Sequence, residues 1–328
     1  MKYLKKGLQR VSALAVFAGC VALLPFTALA QNFPTKPITI VAHTAAGSST
    51  DLFARELALA AAPIFGKPVV VVNRPGGSGA TQMSFINSAE PDGYTVGVNT
   101  GSHVTAMLTN LKGTYTPKDF SWIMLNQIDP YILAVHVDSP YKSLKDLVEA
   151  AKGGERVKIG GYGAVGASHN IAVQILAEKA GMPITWVSYP GSGDAATAVL
   201  GKHIDAVSIN PGGTLAFVSA GRIRILAVMN ENRVSSLPDV PTYAEAGYDV
   251  DTSWKQIRGL YGPKDIPMDI QEKLADGFFK AMETPRFKEY MKRSALESGN
   301  LGPDEYPQFI DETAKATQQW LTKLGITQ

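Results

Sequence analysis

Glycine, serine and threonine are concentrated in five short segments that hold the main candidates for chemistry in this chain. The segments are residues 43–51, 100–103, 161–169, 189–194 and 210–214. Segments of this kind offer free backbone N–H groups and short hydroxyls, and a following helix adds the positive end of its dipole. The combination suits an anionic ligand held with little side-chain charge. Helix capping explains any single segment, but capping alone does not require so many glycines in all five.

Hydrogen-bond energies indicate that a site of neutral donors is sufficient for an anion. Four to six charge-assisted hydrogen bonds contribute roughly 1.5–3 kcal/mol each before the cost of association is subtracted. The upper end of this range, about 18 kcal/mol, still exceeds the free energy of a micromolar complex, about 8 kcal/mol, after several kcal/mol are subtracted for association. A carboxylate site without an arginine is therefore energetically reasonable.

Catalytic patterns fit the same segments poorly. Residues 161–166 match the G-x-G-x-x-G pattern of dinucleotide sites, but no acidic residue for a ribose follows the next predicted strand. Residues 76–80 approach the G-x-S-x-G pattern of hydrolases and lack its final glycine. His43, His103 and His169 lie in candidate segments, and we interpret them as satisfied turn residues, of which His103 and His169 can each donate one hydrogen bond to a ligand. No cofactor and no metal is expected.

The elements that position these segments alternate between strand and helix, which is typical of parallel sheets covered by helices. Strands are predicted at residues 38–42, 69–72, 95–99, 132–137, 157–160, 184–188, 205–209 and 223–228. After residue 263 the pattern predicts only helices, at residues 268–282, 285–292 and 303–324. Since ligands of open α/β sheets bind beyond the carboxyl ends of the strands, the five segments are the expected binding loops.

The length of 328 residues favours about two domains. The helices after residue 254 have no predicted sheet of their own, so we expect them to pack on the first domain. This arrangement makes the chain cross twice between two lobes and leaves a cleft between them. Lobe 1 is predicted to contain residues 31–133 and 254–328, and lobe 2 residues 134–253.

The first 30 residues have the pattern of a signal peptide. A basic start that ends at Arg10 precedes an apolar run over residues 11–26 and an Ala-Leu-Ala cleavage site at residues 28–30. An alternative is a lipobox at residues 17–20 with an acylated Cys20. Removal of the leader lowers the count of basic residues from 31 to 27, against 29 acidic residues. A mature chain without a basic excess is not expected to bind nucleic acid.

Ordered motifs along the mature chain are similar to those of one receptor family. The first is Phe33-Pro34-Thr35-Lys36-Pro37-Ile38, near the predicted mature start. The others lie at residues 46–55, 70–77, 91–95, 166–169, 189–191, 237–242 and 245–247. In this order they resemble the Bug or TctC-like solute receptors of tripartite tricarboxylate transporters.

The resemblance implies a fold, a function and a set of binding residues. The fold is a two-lobed periplasmic α/β binding protein of the type II flytrap kind, with two mixed, mostly parallel sheets, flanking helices and two crossings. The function is capture of a small mono- or dicarboxylate, aliphatic or aromatic, without enzymatic activity. The composition requires no more than a monomer, which is the expected oligomeric state. The implied partners are the ligand and the membrane permease subunits. The implied lobe 1 contacts are Ala45, Ala46, Gly47, Ser48, Ser49, Thr50, Thr100, Gly101, Ser102 and His103. The implied lobe 2 contacts are Gly163, Ala164, Ala167, Ser168, His169, Ser192, Asp194, Ser208 and Asn210.

Several residues depart from the family pattern or have an open role. Ser48 replaces a glycine that many relatives have, which adds a hydroxyl at the expected carboxylate position. Asp51 is interpreted as bracing the first loop, and Asp194 either caps its helix or binds an amine. Arg258 is assigned to a surface or structural salt bridge, with a charge at the hinge or cleft as the alternative.

Two other functions remain open from the sequence. A sensory receptor for the same kind of ligand belongs to the same class of binding proteins. A secreted hydrolase that uses a serine with one of the three histidines at positions 43, 103 and 169 belongs to a different class.

Overall fold

Eleven strands and ten helices form among the residues that the computed structural model describes, which are 33–234, 237–252, 254–294 and 296–327. The predicted signal peptide and Cys20 lie outside these residues. The strands are β1 (Ile38–Ala42), β2 (Val69–Asn73), β3 (Thr95–Asn99), β4 (Phe120–Asp129), β5 (Tyr131–His136), β6 (Lys158–Tyr162), β7 (Thr185–Tyr189), β8 (Ala206–Ile209), β9 (Ile223–Met229), β10 (Gln256–Pro263) and β11 (Glu297–Leu301). The helices are α1 (Ser49–Phe65), α2 (Ala80–Asn87), α3 (Gly101–Leu108), α4 (Leu144–Lys152), α5 (Ser168–Ala180), α6 (Ser192–Leu200), α7 (Leu215–Ser219), α8 (Met268–Met282), α9 (Pro285–Arg293) and α10 (Tyr306–Lys323).

The described strands form two mixed sheets. The first has six strands in the order β11-β4-β10-β3-β1-β2, and the second has five in the order β7-β6-β8-β5-β9. In the first sheet β10 and β11 run against the other strands, and in the second β5 does. Most strands of each described sheet therefore point in one direction, and their carboxyl ends carry the loops that hold the candidate segments.

Local sequence explains the elements that were predicted. The strand β1 is apolar, and four of its five residues are buried between β2 and β3. Helix α1 ends at Gly66, whose φ of 63° is a left-handed conformation that glycine adopts without a steric penalty. Helix α4 begins with a capping box in which the hydroxyl of Ser143 accepts a hydrogen bond from the backbone N–H of Asp146.

The prediction of an all-helical region after residue 263 was wrong, and strands β4 and β10 were also missed. Strand β10 lies in the middle of the first sheet, between β3 and β4, and β11 lies at its edge. Strand β10 contains two glycines and an arginine, and β11 is mostly polar and part-exposed, so neither is a β-branched run. Antiparallel pairing on both sides of β10 stabilises a segment with low intrinsic strand propensity.

The helices after β10 pack on the first sheet and on α1. The rings of Phe65 and Phe278 lie 5.0 Å apart between α1 and α8. Tyr306 at the start of α10 is fully buried in one apolar cluster with Val41 and Trp122. This packing brings the helices of the last third of the chain onto a sheet that combines strands from the first and last thirds.

The chain passes between the two sheets at two places. Strand β4 ends at Asp129 and β5 begins at Tyr131, and the return lies between Met229 of β9 and Gln256 of β10. The predicted lobe boundaries at residues 133/134 and 253/254 stay a prediction. Among the described residues, no helix combines the length and the apolar character required to span a membrane.

Candidate functional site

Loops from the two sheets meet directly at the carboxyl ends of their strands. The backbone N–H of Ser49, at the start of α1, donates to the hydroxyl of Ser192 at the start of α6, with an N–O distance of 3.0 Å. The hydroxyls of Ser102 and Ser168, at the starts of α3 and α5, lie 3.1 Å apart. These contacts join loops that are 66 or more residues apart in sequence. The predicted segments therefore share one crevice.

A small cavity of about 10 Å³ lies in this crevice, and we call it the cleft cavity. Its lining comes from both sheets and is entirely polar or aromatic. The lining residues are His43, Thr44, Ser49, Thr50, Tyr162, His169, Ser192, Asn210, Gln256 and Arg258. Five of the predicted contacts are in this set, namely Ser49, Thr50, His169, Ser192 and Asn210.

Several polar groups of the cleft cavity and its rim are buried without a hydrogen-bond partner among the described residues. They are the hydroxyls of Thr44, Ser48 and Tyr162, and Nδ1 of His169. Buried polar groups in folded proteins are nearly always paired, with protein or with bound molecules. Free hydroxyls beside helix N-termini provide donors for an anionic ligand.

Asp51 braces the loop before α1, as predicted from its type and position. Its carboxylate accepts a hydrogen bond of 2.9 Å from the backbone N–H of Gly47 and another of 2.9 Å from Asn73. It also forms an ion pair of 3.0 Å with Arg55. Burial raises the pKa of Asp51, but the hydrogen bonds from Arg55, Gly47 and Asn73 outweigh burial, so the pKa is lowered. The negative charge of Asp51 is thus used within the loop.

The three buried histidines, His43, His103 and His169, are each at most 3% exposed. Nδ1 of His43 donates to the carbonyl of Val98 at 3.2 Å, and Nε2 of His103 donates to Gln82 at 2.7 Å. Burial lowers the pKa of His43 well below its usual value, that of His103 to about 3 and that of His169 to about 4. All three rings are neutral near pH 7. No serine hydroxyl of the described chain is hydrogen-bonded to a histidine ring, as a serine hydrolase would require.

Arg258 is the main lining residue that the sequence analysis did not place in the site. It is 1% exposed and forms an ion pair with Asp129, which is fully buried at the end of the neighbouring strand β4. Its Nε lies 3.4 Å from the hydroxyl of Thr50, and its Nη2 lies 3.5 Å from Oδ1 of Asn210. Burial lowers its pKa to about 10, so the guanidinium stays charged at neutral pH. The assignment of Arg258 to a structural salt bridge is confirmed, although the pair with Asp129 is buried rather than at the surface. The alternative of a charge at the cleft also matches its position in the cavity lining.

The other predicted contacts lie around the cleft cavity rather than in its lining. Some are buried between the sheets: Thr100, Gly101, Ser102, His103, Gly163, Ala167, Ser168 and Ser208. His103 closes the capping box of α3. Ala46, Gly47, Ala164 and Asp194 are exposed, while Ala45 is part-buried and Ser48 buried in the loop before α1. Tyr162 lies in the candidate segment 161–169 but was not among the predicted contacts. Gln256 was not predicted, because strand β10 carries no distinctive motif.

A larger groove lies outside the cleft cavity, between α1, α9 and residues 212–219. Leu52, Leu215, Ala216 and Tyr290 give it an apolar wall, and it contains none of the predicted contacts. None of the described histidine, cysteine, aspartate and glutamate side chains form a group of three suited to hold a metal ion. The cleft cavity is therefore the candidate site.

Comparison with known proteins shows that the sequence and the fold of this chain are similar to those of solute receptors. The sequence profile described as "Tripartite tricarboxylate transporter family receptor" matches residues 53–326. A UPF0065 protein from the gbd 5′ region of Cupriavidus necator is 33% identical over 317 residues, which are 96% of this chain and 95% of the relative.

Solved structures with the same fold extend the comparison. The periplasmic binding protein BugD has a TM-score of 0.84 and 27% identity, over 90% of this chain and 99% of BugD. The structure of R. palustris Rpa4515 with adipate has a TM-score of 0.84 and 25% identity, over 90% of this chain and 99% of that one. These matches confirm the predicted two-lobed α/β fold.

Proposed function

Because the chain belongs to the tripartite tricarboxylate transporter receptor family, we propose that it captures a small carboxylate in the cleft cavity and delivers it to the membrane subunits of such a transporter. The proposed compartment is the periplasm, which the similarity to periplasmic binding proteins supports. We propose that each sheet with its helices forms one lobe, with residues 31–133 and 254–328 in lobe 1 and residues 134–253 in lobe 2. The proposed role is binding without catalysis.

The lining of one small cavity by both sheets is the observation that carries this proposal. The start of α1 and the start of α6 bring Ser49, Thr50 and Ser192 to the same point. Two helix N-termini favour a negative charge there, and the guanidinium of Arg258, which is ion-paired with Asp129, adds hydrogen-bond donors nearby. A ligand that contacts both sheets stabilises their closed arrangement, which is a form that membrane subunits can recognise.

The chemistry of relatives supports a carboxylate as the ligand class. One structural relative contains adipate, and its similarity covers 90% of this chain. The lining contains no acidic residue, and the nearby carboxylate of Asp51 is paired within its own loop. An anion therefore meets donors and a cation rather than repulsion.

Thermal unfolding in a panel of carboxylates tests the proposal. A ligand present at about 100 times its Kd stabilises the folded state by roughly 2.7 kcal/mol. We expect at least one carboxylate to raise Tm, and we expect the double variant Ser49→Ala with Thr50→Ala to lose that increase. Thr81→Ala with Ser84→Ala, two exposed positions on α2, is the matched control and is expected to keep it. Absence of any shift, together with native mass spectra that show no retained small acid, would contradict the proposal.

A further inference from the structure

Helix α10 lies against both sheets of the described chain. Its first turns pack in the apolar cluster of the first sheet, where Tyr306 and Ile310 are fully buried. Its last turn packs on the apolar cluster of the second sheet, where Leu321 is fully buried. Ile326, just beyond the helix, is part-buried on the same cluster, and its backbone N–H donates to the carbonyl of Leu321 at 2.9 Å. The predicted lobe boundaries assign the whole helix to lobe 1, so the contact of its end with the second sheet was not predicted.

The end of α10 touches residues 163–167, which precede α5 and which we call the α5 loop. Gly166 of this loop is buried and has a φ of 86°, and a Cβ built on it would lie 3.3 Å from side-chain carbons of both Leu321 and Ile326. Because carbon atoms pack optimally at about 3.5–4.0 Å, the backbone of the loop rests directly on these two side chains. The backbone N–H of Gly166 donates to Oδ1 of Asn170 at 2.8 Å, which fixes the loop to the first turn of α5.

Two indole groups hold the ends of the α5 loop. The indole N–H of Trp186 donates to the carbonyl of Gly163 at 3.0 Å. The indole N–H of Trp254, which lies in the return from the second sheet to the first, donates to the carbonyl of Ser168 at 3.1 Å. A displacement of the loop therefore changes the hydrogen bonds of two tryptophan side chains.

The α5 loop leads directly into side chains of the crevice. The hydroxyl of Ser168 lies 3.1 Å from that of Ser102, and His169 lines the cleft cavity. Leu321 and Ile326 do not belong to the cavity lining, so their packing reaches the cavity through the loop. Chains of packed side chains of this kind carry energetic coupling between separate parts of a protein.

We infer that Leu321 and Ile326 are positioning residues for solute binding. The end of α10 supports the α5 loop and thereby sets the positions of Ser168 and His169 in the crevice. A helix that begins in the core of the first sheet thus holds a binding loop of the second sheet. The effect on binding rests on the proposed function, whereas the position of the loop is measured without a ligand.

Proton–nitrogen NMR correlation spectra of the free protein test the inference, since the indole N–H groups of Trp186 and Trp254 bind the loop segment directly. We expect both indole resonances to shift in Ile326→Ala. Isoleucine has no aromatic ring, so its removal takes away no ring current. The indole of Trp122 donates to the carbonyl of Pro117, outside the second sheet, and its resonance is expected to stay in place. Ile326→Leu, which keeps an apolar side chain of the same size, is expected to restore the wild-type positions.

Leu324→Ala is the matched control for lost apolar packing. Leu324 packs on the same apolar cluster, whereas the side-chain atoms nearest to Gly166 belong to Leu321 and Ile326. We expect this control to keep the wild-type indole resonances of the two loop-bound tryptophans. Circular dichroism melting checks that the variants fold. Unchanged resonances of both tryptophans in Ile326→Ala, or equal shifts in Leu324→Ala, would overturn the inference.

Calorimetric titration with the carboxylate panel, adipate, malate and succinate included, measures the effect on binding. For an acid that binds the wild type, we expect about 2- to 30-fold weaker affinity in Ile326→Ala and the wild-type affinity in Leu324→Ala. Wild-type affinity in Ile326→Ala would overturn the role of the α10 end in binding. Failure of every acid to bind the wild type would contradict the proposed function, and the indole resonances would still decide whether the end of α10 positions the loop.

Discussion

Substitution of Arg258 by methionine is expected to destabilise the folded protein strongly. The guanidinium is 1% exposed and its partner Asp129 is fully buried. In Arg258→Met the carboxylate of Asp129 keeps the hydrogen bond from Gln127, at 2.8 Å, and loses its positive partner. Removing one member of a buried ion pair costs about 3–5 kcal/mol, since a buried charge remains uncompensated.

The double variant Arg258→Met with Asp129→Asn separates buried charge from lost packing. Asparagine retains an acceptor for Gln127 and carries no charge. Neutral replacement of both members of a buried pair is often close to neutral in stability. We therefore expect the double variant to recover most of the loss, although its affinity for carboxylates stays reduced because the cleft cavity lacks its cation.

Urea and thermal unfolding, followed by circular dichroism, measure these differences. At about 2 °C per kcal/mol for a long chain, the single variant is expected to lower Tm by about 6–10 °C. Arg233→Met is the matched control, since its ion pair with Glu245 is 2.8 Å long and about half exposed. Exposed pairs contribute about 0–1 kcal/mol. A single variant that matches this control, or a double variant as unstable as the single one, would refute the reasoning.

Three further measurements follow from buried groups. The three buried histidines have folded pKa values below the unfolded value of about 6.5, so their stabilisation is complete above that pH and declines as the pH falls toward the folded values. The wild-type protein is expected to lose unfolding free energy as the pH falls from 6.5 to 5, and in His103→Gln this loss is expected to be smaller by up to about 1.4 kcal/mol per pH unit. Urea unfolding at several pH values measures it, and the same pH dependence of the unfolding free energy in the variant as in wild type would contradict this prediction. In Gly101→Ala, the new Cβ lies 2.8 Å from the hydroxyl of Ser168 across the crevice. We expect weaker ligand binding and a larger radius of gyration by X-ray scattering than in Gly302→Ala, where a Cβ meets nothing within 4 Å. Phe278→Ala removes a fully buried ring and is expected to lower the unfolding free energy by about 3–5 kcal/mol, which chemical denaturation checks against wild type.

The strands that the sequence predicted correctly are those with strong local patterns. Strands β1 and β3 were predicted with their observed bounds, because apolar β-branched residues dominate β1 and a clear turn follows each strand. Strands β10 and β11 were missed because their neighbours in the sheet determine their conformation. Their partners come from β3 and β4, more than 100 residues earlier in the chain.

The binding loops were predictable for a similar reason. Glycine, serine and threonine at strand-to-helix turns are a local feature, and parallel strands bring such turns to one edge of a sheet. Ser49 and Ser192 therefore belonged to the prediction before any contact between them was known. Their hydrogen bond shows that turns from the two sheets face each other.

The sequence by itself determined the class of fold, the loops that form the crevice and the family, because these depend on hydrophobic periodicity, turn residues and ordered motifs. Tertiary structure alone decided the charge and polarity inside the crevice. The pairing of strands β4 and β10 brings Arg258 to Asp129, and the fold of the second sheet brings His169 to Asn210. The protonation and hydrogen bonding of such groups depend on burial and on partners far away in the chain, which no local pattern contains.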